Sequence, residues 1–258
     1  MATKIKFLTK KKFKNAVLLT GLPGIGLVGK ICVDYMLKQM KAEKIAEITS
    51  DSFPPSVHTT DGIMGMITDE FYHLKQGGKD YLFLAGLVQP SLDMRSGSAA
   101  EHYDFASTIV DSLKSRGLGE VCALAGINIG EKRMTSKPRV ILAGTSKKIL
   151  DKWTKVGAVV DKPEGLITGA AGLIPAIAAR EGVDGVCLMG ETNAKLIYGD
   201  HGSAKTVLEL LVKRFGFKLK MKDIEKDAKE IEKAFSELTK QLSDQPEVDA
   251  IENLTYVR

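Results

Sequence analysis

The densest group of residues able to do chemistry is Gly21-Leu22-Pro23-Gly24-Ile25-Gly26-Leu27-Val28-Gly29-Lys30. It satisfies two nucleotide-binding patterns together. Gly24-x-Gly26-x-x-Gly29 has the spacing of a dinucleotide fingerprint, and Gly24-x4-Gly29-Lys30 is most of a phosphate-binding loop. That loop needs a Ser or Thr after its lysine to hold magnesium, and here Ile31 follows. The dinucleotide reading stays open: an apolar run, the glycine turn, helix-like sequence and a second apolar run follow in order. Glu47 and Asp51 stand about 20 residues on, where a ribose-binding acid belongs. Pro23 within the turn speaks against it. The remaining reading is architectural, with glycines that let the chain turn sharply and let the helix approach the strand.

Other chemical candidates are sparser. Glu191 ends the apolar run Val186 to Met189 after Gly190, which puts a carboxylate at the carboxyl end of an expected strand, where α/β proteins gather ligands. The stretch from Gly165 to Pro175 is rich in glycine and alanine and leads into a helix, whose first N–H groups can receive an anion. His58, His73, His102 and His201 share no metal-ligand spacing and read as surface or capping residues. No Gly-x-Ser-x-Gly elbow is present to offer a nucleophile. Cys32, Cys122 and Cys187 lie in apolar runs with no zinc spacing, and read as buried, reduced thiols.

The elements that must carry these residues follow from periodicity. Strands are expected at Ala16–Leu19, Lys44–Thr49, Tyr81–Leu87, Val121–Ala125, Arg139–Ala143 and Asp184–Met189. Helices are expected at Val28–Met40, Ser98–Ser115, Lys147–Lys155, Ala171–Arg180 and Ser203–Phe215. Several strands are continuously apolar, as strands covered on both faces are, and their alternation with helices implies an α/β fold with a mostly parallel central sheet. Gly62–Leu74 reads as an antiparallel hairpin at a sheet edge.

The chain has 258 residues and a formal charge of +5. Six lysines (Lys4, Lys6, Lys10, Lys11, Lys12 and Lys14) fall in the first fourteen residues with no acid among them, so the rest sums to −1. This end reads as a solvated, partly mobile arm; no aromatic-interleaved basic stripe supports nucleic-acid binding. Neither a long uncharged apolar run nor a secretory leader is evident, so no membrane partner and a cytoplasmic location are expected.

From Met221 to Ser243 the sequence is charged and lacks Gly and Pro. Its apolar residues Ile224, Ala228, Ile231, Phe235, Leu238 and Leu242 are spaced 4, 3, 4, 3, 4, a heptad seam. The seam serves either self-association or packing on its own domain. The division expected is an α/β domain over 1–218 and a C-terminal helix with a mobile tail over 219–258.

Three segments together resemble the archaeal proteasome assembly chaperone family: Gly21 to Lys30, Gly165 to Gly172, and Gly190-Glu191-Thr192 with the helix bearing Ala204, Val207 and Leu208. Gln89-Pro90 also fits, and the resemblance spans most of 16–215. It implies a three-layer αβα sandwich, no catalytic chemistry or cofactor, self-association, and engagement of 20S proteasome alpha subunits. It further implies docking through a C-terminus that ends hydrophobic residue, Tyr, any residue. Here Leu254, Tyr256, Val257 and Arg258 are the partner-binding candidates, with Tyr256 third from the end, an offset of roughly 3.3 Å along an extended chain. A second departure is Tyr198 to Gly202, where relatives carry an Asp-Pro-type helix entry. The alternative is an α/β enzyme or ligand-binding protein that takes a nucleotide or other anion near Gly24, Gly26, Gly29 and Glu191.

Overall fold

The computed structural model describes residues 3–90, 99–161, 165–196 and 198–224. Its strands are β1 (Thr3–Phe7), β2 (Ala16–Gly21), β3 (Glu43–Ser50), β4 (Val57–Thr60), β5 (Ile63–Met66), β6 (Asp69–Gln76), β7 (Lys79–Ala85), β8 (Leu118–Asn128), β9 (Val140–Gly144) and β10 (Asp184–Thr192). The helices are α1 (Val28–Gln39), α2 (Ala99–Lys114), α3 (Lys132–Thr135), α4 (Lys147–Thr154), α5 (Ala170–Arg180) and α6 (His201–Phe215).

Eight strands form one sheet in the order β1-β3-β6-β7-β2-β8-β10-β9. The four neighbours β7, β2, β8 and β10 are parallel, and β9, β6, β3 and β1 add antiparallel margins. Each central strand divides its side chains between two layers. Val17 and Leu19 of β2 join one core with Ile31 of α1, Trp153 of α4 and Leu208 of α6. Ala16 and Leu18 join another with Phe105 of α2 and Ile174 of α5. The result is an αβα sandwich, with the middles of the central strands apolar because both faces are covered.

Two expectations at the amino-terminal half need correction. The lysine-rich end does not begin as a free arm: residues 3–7 form the edge strand β1, antiparallel to β3. Its period of two was readable, since Ile5 and Phe7 turn partly inward while Lys4 and Lys6 stay exposed, and lysines on an edge discourage strand addition. The region 62–74 is not an edge hairpin either. β5 pairs with β4 as a separate two-stranded ribbon, while β6 enters the main sheet between β3 and β7.

The start of the C-terminal segment lies on the sandwich. Ile224, first residue of the heptad seam, is 1% exposed and belongs to the same core as α1 and α6. Tyr35 donates its hydroxyl to the Lys220 carbonyl, and the Lys220 N–H donates to Gln39 Oε1. Ala228, Ile231, Phe235, Leu238 and Leu242, and the tail residues Leu254, Tyr256, Val257 and Arg258, lie outside the described residues.

Candidate functional site

The three glycine-bearing segments of the sequence meet at the carboxyl ends of β2, β8 and β10. After β2 the chain makes a short 3-10 turn, Ile25–Leu27, in which Gly26 has φ 61° and Leu27 φ 49°, before α1 begins at Val28. A Cβ on Gly26 would fall 2.4 Å from Thr192 Oγ1, and one on Gly29 would fall 2.1 Å from the Leu124 carbonyl oxygen. These glycines are where the turn touches β10 and where α1 touches β8.

Asp200 fastens the same corner. It caps α6 by accepting the Ser203 N–H at 2.9 Å, takes both Nε and Nη2 of Arg133 at 2.7 Å, and accepts the Thr192 hydroxyl at 2.9 Å. Its own N–H donates to the Gly26 carbonyl at 2.8 Å. A buried carboxylate is tolerated here because several charged or dipolar donors replace its water. In the sequence Asp200 stood within a departure from the family pattern; its capping position before an apolar helix was the signal available for this role.

The residues that suggested nucleotide chemistry are engaged elsewhere. Lys30 is buried, and its Nζ donates to Asp34 Oδ2 at 2.7 Å and to the Gly86 carbonyl at 3.0 Å, one turn along α1 rather than toward a phosphate. β3 stands three places from β2, with β6 and β7 between, so Glu47 and Asp51 do not follow the turn onto a neighbouring strand as a dinucleotide site requires. Glu47 pairs instead with Lys44 at 2.9 Å.

Glu191 does lie near the carboxyl end of β10, 3% exposed. It accepts the Arg139 N–H and Nε, each at 2.9 Å, and Nη2 as well. Burial alone would push its carboxyl up, but the hydrogen bonds and charge of Arg139 outweigh burial and hold it below the usual carboxylate range. Glu191 is therefore a clasp between the start of β9 and β10. His73 departs from its expected surface place: it is buried, with Nε2 2.9 Å from Asp80 Oδ1 and Nδ1 3.1 Å from Lys11 Nζ. Cys32, Cys122 and Cys187 are free and buried, and burial pushes all three thiols up, that of Cys187 to about 12.

Between the glycine turn and the loop before α5 runs a cleft of about 190 Å³. Thr20, Gln89, Asn128 and Ala171 contribute to its wall beside apolar residues such as Leu124 and Met189. No described residue of the wall has an ionisable side chain. A second surface feature is the ribbon of β4 and β5, where Ile63 and Met64 are 75% and 74% exposed and Met66 and Val57 also face solvent. Met64 and Met66, two apart on β5, share one face with Val57 opposite Met66, and apolar exposure of this kind marks interaction surfaces in soluble proteins. Among the described residues, no helix is long and apolar enough to cross a membrane.

The sequence pattern of the PAC2 family matches residues 18–239. An uncharacterized protein of Methanocaldococcus jannaschii is 32% identical over 242 residues, 92% of this chain and 90% of that one. Among solved structures, PbaB of Pyrococcus furiosus, an archaeal proteasome activator, superposes with a TM-score of 0.80 at 26% identity, covering 92% of this chain and 99% of its own. PbaA of the same organism, an archaeal homolog of proteasome-assembly chaperone, gives 0.72 at 25% identity, covering 93% and 98%.

Proposed function

We propose, on the premise that the chain belongs to the PAC2 family, that it is a non-enzymatic, homo-oligomeric, chaperone-like protein of the cytoplasm that engages 20S proteasome alpha subunits, in the finished particle or in alpha-ring assembly intermediates. The observation that carries this reading is the end-to-end likeness to PbaB and PbaA, which spans more than nine-tenths of each chain. The site geometry supports it: the glycines hold strands and helices together, Lys30 and Glu191 are fixed in ion pairs, and the exposed ribbon offers an apolar face to a protein partner.

In this reading the heptad positions after Ile224, from Ala228 through Leu242, join subunits, and Leu254, Tyr256, Val257 and Arg258 reach the partner. Tyr256 suits an anchor because an aromatic ring brings large contact area with few torsions to order. The one-residue offset of Tyr256 makes a single tail weak, with Kd about micromolar or higher, some 8 kcal/mol or less. The test is surface-plasmon binding to immobilised 20S particles by the full chain and by a chain lacking the last five residues. The full chain should bind and the shortened one should lose most of its affinity. No binding by the full chain would overturn the proposal, and equal affinity would move the contact to the sandwich or the heptad segment.

A further inference from the structure

The glycine turn has served so far only to hold elements together, yet it borders a cleft that packing alone does not explain. Thr20, next to last in β2, is 3% exposed and lines this cleft, and its hydroxyl makes no hydrogen bond among the described residues. With no described protein partner and not sealed from the cleft, this hydroxyl is open to a hydrogen bond from a ligand there. Across the cleft, α5 starts at Ala170 after Gly169, which supplies no side-chain cap. The N–H groups of Gly172 and Leu173 turn back to the Gly169 carbonyl, whereas those of Ala170 and Ala171, both in the cleft wall, have no acceptor among the described residues. Asn128 uses its Oδ1 for the Gly130 and Ala194 N–H groups, which leaves its amide NH₂ as a further donor.

The cleft thus combines surplus donors with the positive end of an eleven-residue helix, an arrangement that favours an anion. No described lysine or arginine lines it, and the hydroxyl and N–H donors match a single negative charge. Apart from Gln89 and Thr168, the rest of the described wall, including Leu22, Ile167 and Met189, has no polar side chain. The cleft volume of about 190 Å³ exceeds the roughly 150 Å³ of a cavity that takes benzene, so it can receive a small aliphatic group.

We infer that this cleft is a binding site for a small aliphatic monocarboxylate, its carboxylate received by the α5 N–H groups and the Thr20 hydroxyl and its apolar substituent lying on Ile167 and Met189. Such a group comes either as a free short-chain acid or as the C-terminal residue of a peptide. The inference is independent of proteasome engagement.

Isovalerate, N-acetylvaline and their uncharged amides distinguish these cases, titrated into the full-length protein and followed by saturation-transfer NMR. At least one acid should bind saturably with Kd on the order of millimolar, and its amide about tenfold more weakly or worse. Binding by isovalerate identifies a free acid; binding by N-acetylvaline alone identifies a peptide terminus. Thr20→Val keeps the side-chain shape and, checked for an unchanged melting profile, should weaken the acid about tenfold by removing one hydrogen bond to a charge. Ala171→Leu, which fills the cleft, should abolish binding. Equal affinity for acid and amide, absence of saturable binding up to about 50 mM, or full affinity in a folded Thr20→Val variant would each overturn the assignment.

Discussion

Glu191 and Asp200 are buried carboxylates at one corner of the sheet, each satisfied by an arginine and by backbone N–H groups. Removing Arg139 leaves Glu191 with its backbone donor alone, so Arg139→Met should lower stability at pH 7. The sign of its pH dependence follows from the direction of the shift. Glu191 is held below its ordinary value of 4.5, so its contribution is present above that value and fades as pH falls through the folded value. Denaturant melts of wild type and Arg139→Met should therefore differ at pH 7 and converge below pH 4.5. Asp69 presents the opposite case. It is fully buried beside Gly86, neither oxygen meets hydrogen-bond limits, and burial pushes its carboxyl well up against the weaker pull of the Val88 amide, the Lys30 charge and the Leu87 amide. Its unfolded form ionises more readily than its folded form, so stability falls as pH rises through the ordinary carboxylate range. Asp69→Asn should raise the melting temperature at pH 7 and leave it unchanged in strong acid; a lower value at pH 7 would show that the anion is stabilised after all.

At the scale of elements, α1 and the glycine turn act as a unit. Gly29 lets α1 approach β8 closely enough that any Cβ would strike the Leu124 carbonyl, a backbone atom that cannot swing aside. Gly29→Ala should cost about 1–3 kcal/mol, the usual range for overpacking. A nucleotide-binding turn would show a different signature, namely micromolar affinity for ATP or NAD in titration calorimetry. With Lys30 committed to Asp34, heats of binding should be absent below millimolar concentration. The heptad segment makes the complementary prediction. Ile224 is already held by its own sandwich, while the positions after it carry the seam onward. Replacing Ile231 and Leu238 by Asp should lower the oligomeric mass in light scattering; an unchanged mass with an intact fold would assign the seam to contacts within one subunit.

For the whole molecule, the proposed assembly converts weak single tails into firm attachment. Several tails on one oligomer act at high effective concentration, which raises avidity by 10²–10⁴ without any new contact. The Ile231→Asp, Leu238→Asp protein should therefore bind immobilised 20S particles about a hundredfold more weakly than wild type even though its tail is unaltered. Equal binding by both would separate assembly from docking.

The sequence by itself determined the central sandwich. Continuous apolar runs at 16–19, 81–87, 121–125 and 186–189 marked strands covered on both sides, and the helical periods between them matched α1, α2, α4, α5 and α6 to within two residues at each end. Both signals are local, because periodicity depends only on which face of an element is buried. Strand order is not local, and only the tertiary structure decided it. The insertion of β6 and β7 between β3 and β2 removed the dinucleotide reading, although the sequence around Gly24 satisfied that motif in full. The partners of Glu191, Asp200 and Lys30 were equally hidden, at separations of 52, 67 and 56 residues for Arg139, Arg133 and the Gly86 carbonyl. A motif records what the backbone can do at one place; which side chains and strands surround it is set by how distant segments pack.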